Sequence, residues 1–274
     1  MHVRNRFVAR ACAAAAAGVA LSTLVVTGAS ASGGRAATIH PGALGPAGIV
    51  AGRGEGLRPT SKDHALGQIT AATTNNQTTA GYKTTVAAGS ATSAAATFTV
   101  PRLSCTTATR VIAPLAGMTT NNNKIFSVAA VHVGCVKGKA VYYPLLVVNG
   151  NETNYTTTHF AAGDVINLST SVTTSATTVQ LTDVTKNVTK TRTGAGASAS
   201  AAWISDDAWP SRTGILGVPN FGKLAFTNCL IDGKALGHWH PQAYQRVNSH
   251  GTVQIATGGL WPGGTAFTTH YRHS

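Results

Sequence analysis

Over residues 71–274 the apolar positions recur in short runs of the kind that makes strands, and no sustained helical spacing connects them. Val111 to Leu115, Phe126 to Val133, Val141 to Val148, Val165 to Val172 and Val179 to Leu181 are such runs, and Thr97-Phe98-Thr99-Val100 is another that ends at Pro101. Turn signals separate them: Lys137-Gly138, Asn149-Gly150, and Ala162-Gly163-Asp164 ahead of the Val165 run. Many short strands at near-regular spacing predict an all-β antiparallel sandwich or barrel. The abundance of Thr fits, because Thr has a high strand propensity and tolerates exposure on the outer face of a sheet.

The segment from Ala201 to Asp207 stands apart. Asp206-Asp207 is the only adjacent acidic pair in a chain with eight Asp and Glu in all. Trp203 and Ile204 favour a strand, Pro210 and Pro219 interrupt pairing on either side, and Lys223 to Thr227 resumes the alternation. Asp206 is therefore expected near the end of a strand and close to a large ring, where apolar surroundings raise a carboxylate pKa. The alternative is a pair of acids in a solvated loop.

Upstream the pattern changes. Arg4, Arg6 and Arg10 form a basic region, Ala13 to Val26 an apolar run, and Ala29-Ser30-Ala31 a small-residue cleavage site, so residues 1–31 read as a signal peptide of a secreted, extracellular protein. The apolar run is too short and too rich in Ala for a transmembrane segment. Residues 32–70, rich in Gly, Ala and Pro without any period, read as a disordered linker or a pro-segment.

The chain carries 21 Lys and Arg and a formal charge of +13. These charges are dispersed, and no basic stripe or motif indicates specific nucleic-acid binding. The positive field favours acidic surfaces and polymers without selecting one. Downstream of the leader stand Cys105, Cys135 and Cys229. A Cys105–Cys135 disulfide would close a loop of about thirty residues and add roughly 3–4 kcal/mol, leaving Cys229 as a buried strand residue. His238-Trp239-His240 places two imidazoles on one face if extended, with His250, His270 and His273 nearby in sequence, yet no third ligand can be assigned and neither metal nor cofactor is expected.

The run AAWISDDAWP, followed by VPNFGKLAFTN, resembles the signature region of the glutamic peptidases, or eqolisins. In that family an Ala-Glu-Trp-Ile-x-Glu segment precedes a Pro-x-Phe-Gly strand. Thr97 to Pro101, Gly138 to Tyr143, Ala162 to Ile166, Asn248 to Val253 and Gly264 to Thr268 follow further family segments, in order, over roughly residues 75–274. The resemblance implies a sandwich of two large antiparallel sheets, of the glutamic peptidase or concanavalin-like type. It also implies a polypeptide substrate or ligand and hydrolysis at acidic pH, with Asp206 in the place of the basic Glu.

The same resemblance exposes departures. The family's partner Gln is expected at about Val128 or Ala129, and neither position carries it. The family's first Glu falls on Ala202, a Trp-x-Gly-x-Asp-Gly stretch falls on Ile112 to Gly117 and keeps only the last Gly, and Trp-Tyr-Glu reads Leu145-Leu146-Val147. Loss of one oxyanion donor costs about two to three powers of ten in rate. His132, on a face with Val128 and Ala130, is a candidate replacement donor, and Gln180 lies on another strand. Two functions follow: a secreted endopeptidase of reduced activity that uses Asp206, or an inactive sandwich that binds peptides or acidic cell-surface polymers. Oligomeric state is left open.

Overall fold

The computed structural model describes residues 72–120, 125–208, 210–211 and 214–273. The expected leader over residues 1–31 and the linker or pro-segment over 32–70 lie outside them. In chain order the first strands are β1 (Thr73–Asn76), β2 (Thr79–Thr85), β3 (Ser93–Thr99), β4 (Arg110–Thr120), β5 (Ile125–Val136) and β6 (Lys139–Val148). Next come β7 (Asn151–Asn154), β8 (Val165–Val172), β9 (Ala176–Asp183), β10 (Val188–Ala195), β11 (Ala199–Ala208) and β12 (Pro210–Ser211). The last are β13 (Gly214–Ile215), β14 (Lys223–Ile231), β15 (Lys234–Ala235), β16 (Gln242–Val247), β17 (Val253–Thr257) and β18 (Phe267–Tyr271). A 3-10 turn spans Leu236–Trp239.

Hydrogen bonds run through one path in the order β10-β9-β8-β3-β14-β18-β17-β16-β2-β11-β4-β5-β6-β7. Neighbours along it are antiparallel, and β1 adds to β16 as a parallel strand. The path curls onto itself, so that β4 and β5 pack on β8 while β6 packs on β9 and β10. The two layers of the sandwich are thus parts of one continuous sheet, joined through the short strands β16 to β18.

Sequence alternation explains which faces meet. Ile166, Leu168, Thr170 and Val172 of β8 and Thr177, Val179, Leu181 and Asp183 of β9 are buried in strict alternation, and the residues between them lie nearer solvent. Opposite them lie Ile112, Ala116, Ala129, Leu146 and Ile204, and an aromatic group of Tyr82, Phe98, Phe226 and Phe267 fills the space where the path bends. The long strand β4 shows no alternation because both its faces are covered: Ala113 and Leu115 join Val128, Ala130, Leu145, Val147 and Trp203 in a second cluster on the opposite face.

Two cross-links fix the layers. The Thr170 hydroxyl donates to the Ala116 carbonyl at 2.9 Å and accepts from the Ala129 amide at 3.2 Å, pinning β8 to the β4–β5 ladder. A disulfide joins Cys105, in the segment before β4, to Cys135 near the end of β5, with Cα atoms 5.4 Å apart. Cys229 is a buried free thiol on β14.

Candidate functional site

Strand β11 lies between β2 and β4, and its alternation sorts the candidate residues onto two faces. Ala202, Ile204 and Asp206 face the main core; Trp203, Ser205 and Asp207 face the other way. The approach of β2 is close here. Gly81, opposite Ser205, has φ 145°, and a Cβ on it would stand 2.5 Å from the Ile204 carbonyl oxygen. Gly117 on β4 is pressed from the other side: a Cβ there would come within about 3 Å of the Trp203 ring. This gives a packing reason for the one Gly retained from the family's stretch.

Asp206 is completely buried. Its Oδ2 accepts a hydrogen bond from the Thr269 hydroxyl of β18, while Oδ1 has no partner. Since β18 is four steps from β11 along the sheet, that bond crosses the interior. Burial pushes the Asp206 pKa up to about 7; the Thr269 bond opposes the rise, Asp207 adds to it, and Arg246 opposes it. The cause is therefore enclosure by the core. The Trp203 ring, expected beside the carboxylate, is on the opposite face of the strand.

Asp207 is half-buried and accepts from the Ser205 hydroxyl at 2.7 Å, with further side-chain bonds to Thr79 and Trp203. Burial raises its pKa to about 6. With Thr79, Lys83, Thr119 and Trp203 it lines a small open pocket of about 140 Å³.

Arg246 on β16 is the charged neighbour that no sequence motif revealed. It is 1% exposed, its Nη2 donates to the Leu216 carbonyl at 2.6 Å, and its Nε and Nη1 have no partner. Burial lowers its pKa to about 10 against the pull of Asp207 and Asp206. It comes near them only because β16 pairs with β2, which pairs with β11, a long-range arrangement without a local signature.

The other expected residues are placed apart from Asp206. His132 lies on β5 in the row with Tyr143, stacks on that ring at 4.2 Å, and has its pKa lowered to about 4 by burial. Its strand parity matches Val128 and Ala130, so it faces away from Asp206. Of the two positions expected for Gln, Ala129 shares the face of Asp206, pairing with Ala116, which pairs with Ile204, whereas Val128 belongs to the opposite cluster. Gln180 on β9 bonds to Thr191 on β10. The His238–His240 segment is not extended: it forms the 3-10 turn, and His240 ends it at φ 46°. Among the described residues no group of three or more metal-ligating side chains converges.

Solved structures share this fold. Scytalido-glutamic peptidase with a transition-state analogue inhibitor aligns over 72% of this chain and 99% of its own, with TM-score 0.57 and 14% identity. SCP-B, an eqolisin in complex with the tripeptide Ala-Ile-His, gives 0.56 with the same coverages and identity. The aspergilloglutamic peptidase of Aspergillus niger gives 0.50 at 16% identity, over 60% of this chain and 99% of its own. No curated protein matches the sequence. The profile of the peptidase A4 family, to which the eqolisins belong, matches residues 77–271, which is most of the described sheet, and the chain belongs to that family.

Proposed function

We propose that this chain is a secreted, slow endopeptidase in which Asp206 is the general base that activates water. The observation behind this reading is a completely buried carboxylate with one oxygen held by Thr269 and the other unpartnered. Leaving a carboxylate oxygen unsatisfied in the interior is costly, and such groups concentrate at sites of chemistry. A family of peptidases, and solved neighbours bound to a tripeptide and to a peptide-based transition-state analogue, support a polypeptide substrate.

The working pH follows from the burial of Asp206. A general base must be ionised, and a pKa of about 7 leaves Asp206 mostly protonated in strongly acidic solution. Hydrolysis by this chain is therefore expected to rise from weakly acidic toward neutral pH, above the acidic range that the family resemblance implies.

A second reading is a binding module without hydrolysis. It is favoured by Ile112, Ala116, Ala129 and Leu146, which make the face beside Asp206 aliphatic. Cleavage of a denatured protein by the secreted chain separates the two. The first reading expects slow cleavage that disappears in Asp206→Asn; no cleavage by the unaltered chain, with retained peptide binding, establishes the second.

A further inference from the structure

The outward face of β2 and β11 carries a pocket built by the strand pairing itself. Asp207 pairs with Thr79, Ser205 with Gly81 and Trp203 with Lys83, so three successive rows present their side chains on that face. The middle row is low. Gly81 has no side chain, and the Ser205 hydroxyl runs along the strand to donate to Asp207 at 2.7 Å. A Cβ on Gly81 would meet the Ser205 Cα at 2.5 Å, so no larger residue fits there. The outer rows rise on either side as walls, and Thr119 of β4 completes the lining.

These walls bring two opposite charges to one space. Asp207, half-buried, accepts bonds from the Ser205, Thr79 and Trp203 side chains, and the Trp203 ring is itself seated over Gly117. A carboxylate has about four acceptor positions, so three protein donors leave about one for a ligand. Lys83 is half-buried on the facing row, and its ammonium has neither a hydrogen bond nor an ion pair among the described residues. The rows of Asp207 and Lys83 are four residues apart along the strands, roughly 13 Å between Cα atoms, with the low middle row between them. The two charges therefore face one pocket without neutralising each other.

Size selects the class of ligand. The pocket, of about 140 Å³, has roughly tenfold the space one water needs, yet less than half of the roughly 300 Å³ at which drug-sized sites begin. We propose that it binds a zwitterion of amino-acid size, with the ligand ammonium on Asp207 beside Trp203 and the ligand carboxylate on Lys83. Charge-assisted bonds at both ends, with an aromatic wall between them, suit an α-amino acid with a small side chain. An internal peptide segment brings neither end charge, and a lone ammonium or carboxylate satisfies one wall only. The site is independent of the reading of Asp206 as the base, because the two carboxylates face opposite sides of β11.

The test is an NMR titration of the purified chain with glycine, L-alanine and L-valine, read at the Trp203 indole N–H. At about pH 7 a carboxyl of pKa about 6 is mostly ionised and the ligand amines are mostly protonated. L-Alaninamide lacks the carboxylate and N-acetyl-L-alanine lacks the ammonium, and each is expected to bind at least about tenfold more weakly than alanine. Lys83→Met should weaken alanine by a similar factor with no further effect on alaninamide. Asp207→Asn should weaken alanine and alaninamide with no further effect on N-acetylalanine. A merely structural role for either residue would not sort the ligands in this way. The comparison of ligands on the wild-type chain needs no substitution, so it stands even if Asp207→Asn fails to fold. An indole resonance unmoved by all three amino acids up to about 100 mM overturns the site, as does equal binding of alanine and its two derivatives.

Discussion

Asp206 has a folded-state pKa of about 7 against an ordinary 3.8, so the folded chain holds a proton that the unfolded chain releases between these values. Its effect on stability is most favourable below about pH 4 and is lost progressively as pH rises through 7, by up to about 4 kcal/mol from this one group. Asp207, raised to about 6, acts in the same direction. Thermal unfolding should therefore show a higher Tm in weakly acidic than in alkaline solution. Asp206→Asn, neutral throughout, should flatten much of that dependence; an unchanged pH profile in the variant would place the titration elsewhere. Asp206 itself was legible in the sequence, through its adjacent acid and the Trp-Ile context. Arg246 was not, because its meaning depends on three strands that are distant in sequence. The side of the strand taken by each Asp was also hidden, since a one-residue change in parity exchanges the two faces.

At the scale of elements, the runs at Val111, Phe126, Val141, Val165 and Val179 mark β4, β5, β6, β8 and β9, where apolar alternation or continuous burial is written locally. The shorter strands β1, β7 and β16 to β18 were not delimited, because four to six residues of mixed polarity carry little period of their own and are fixed by their partners. Element packing also limits any repair of the site. Ala129 is fully buried, and its amide is bonded to Thr170 of the opposing layer, so Ala129→Gln must force side-chain bulk between β5 and β8. We expect it to destabilise the fold by about 1–3 kcal/mol in denaturant unfolding, and to raise the rate only if that loss is tolerated. Replacing Cys105 and Cys135 together by Ser should cost roughly 3–4 kcal/mol in the same assay, since the bridge closes the loop before β4 onto β5. A midpoint unaltered by the double substitution would show that the loop is held by its β-pairing alone.

At the scale of the whole molecule, the curled single sheet encloses Asp206 by bringing β16 and β18 across its end of β11, which neither strand pattern nor composition reveals. The expectation of two sheets matched the layers but not their continuity. The proposed export belongs to this scale as well: N-terminal sequencing of protein recovered from the culture medium should begin at Ser32 or further downstream, and a chain retaining Met1 would refute the leader. The most direct test of the central claim is the pH–rate profile for cleavage of a denatured protein by the purified chain and by Asp206→Asn, from about pH 3 to pH 8. The account predicts a slow rate that climbs with pH along a single ionisation near 7 and vanishes in the variant. Robust cleavage with a strongly acidic optimum, unchanged in Asp206→Asn, would contradict it.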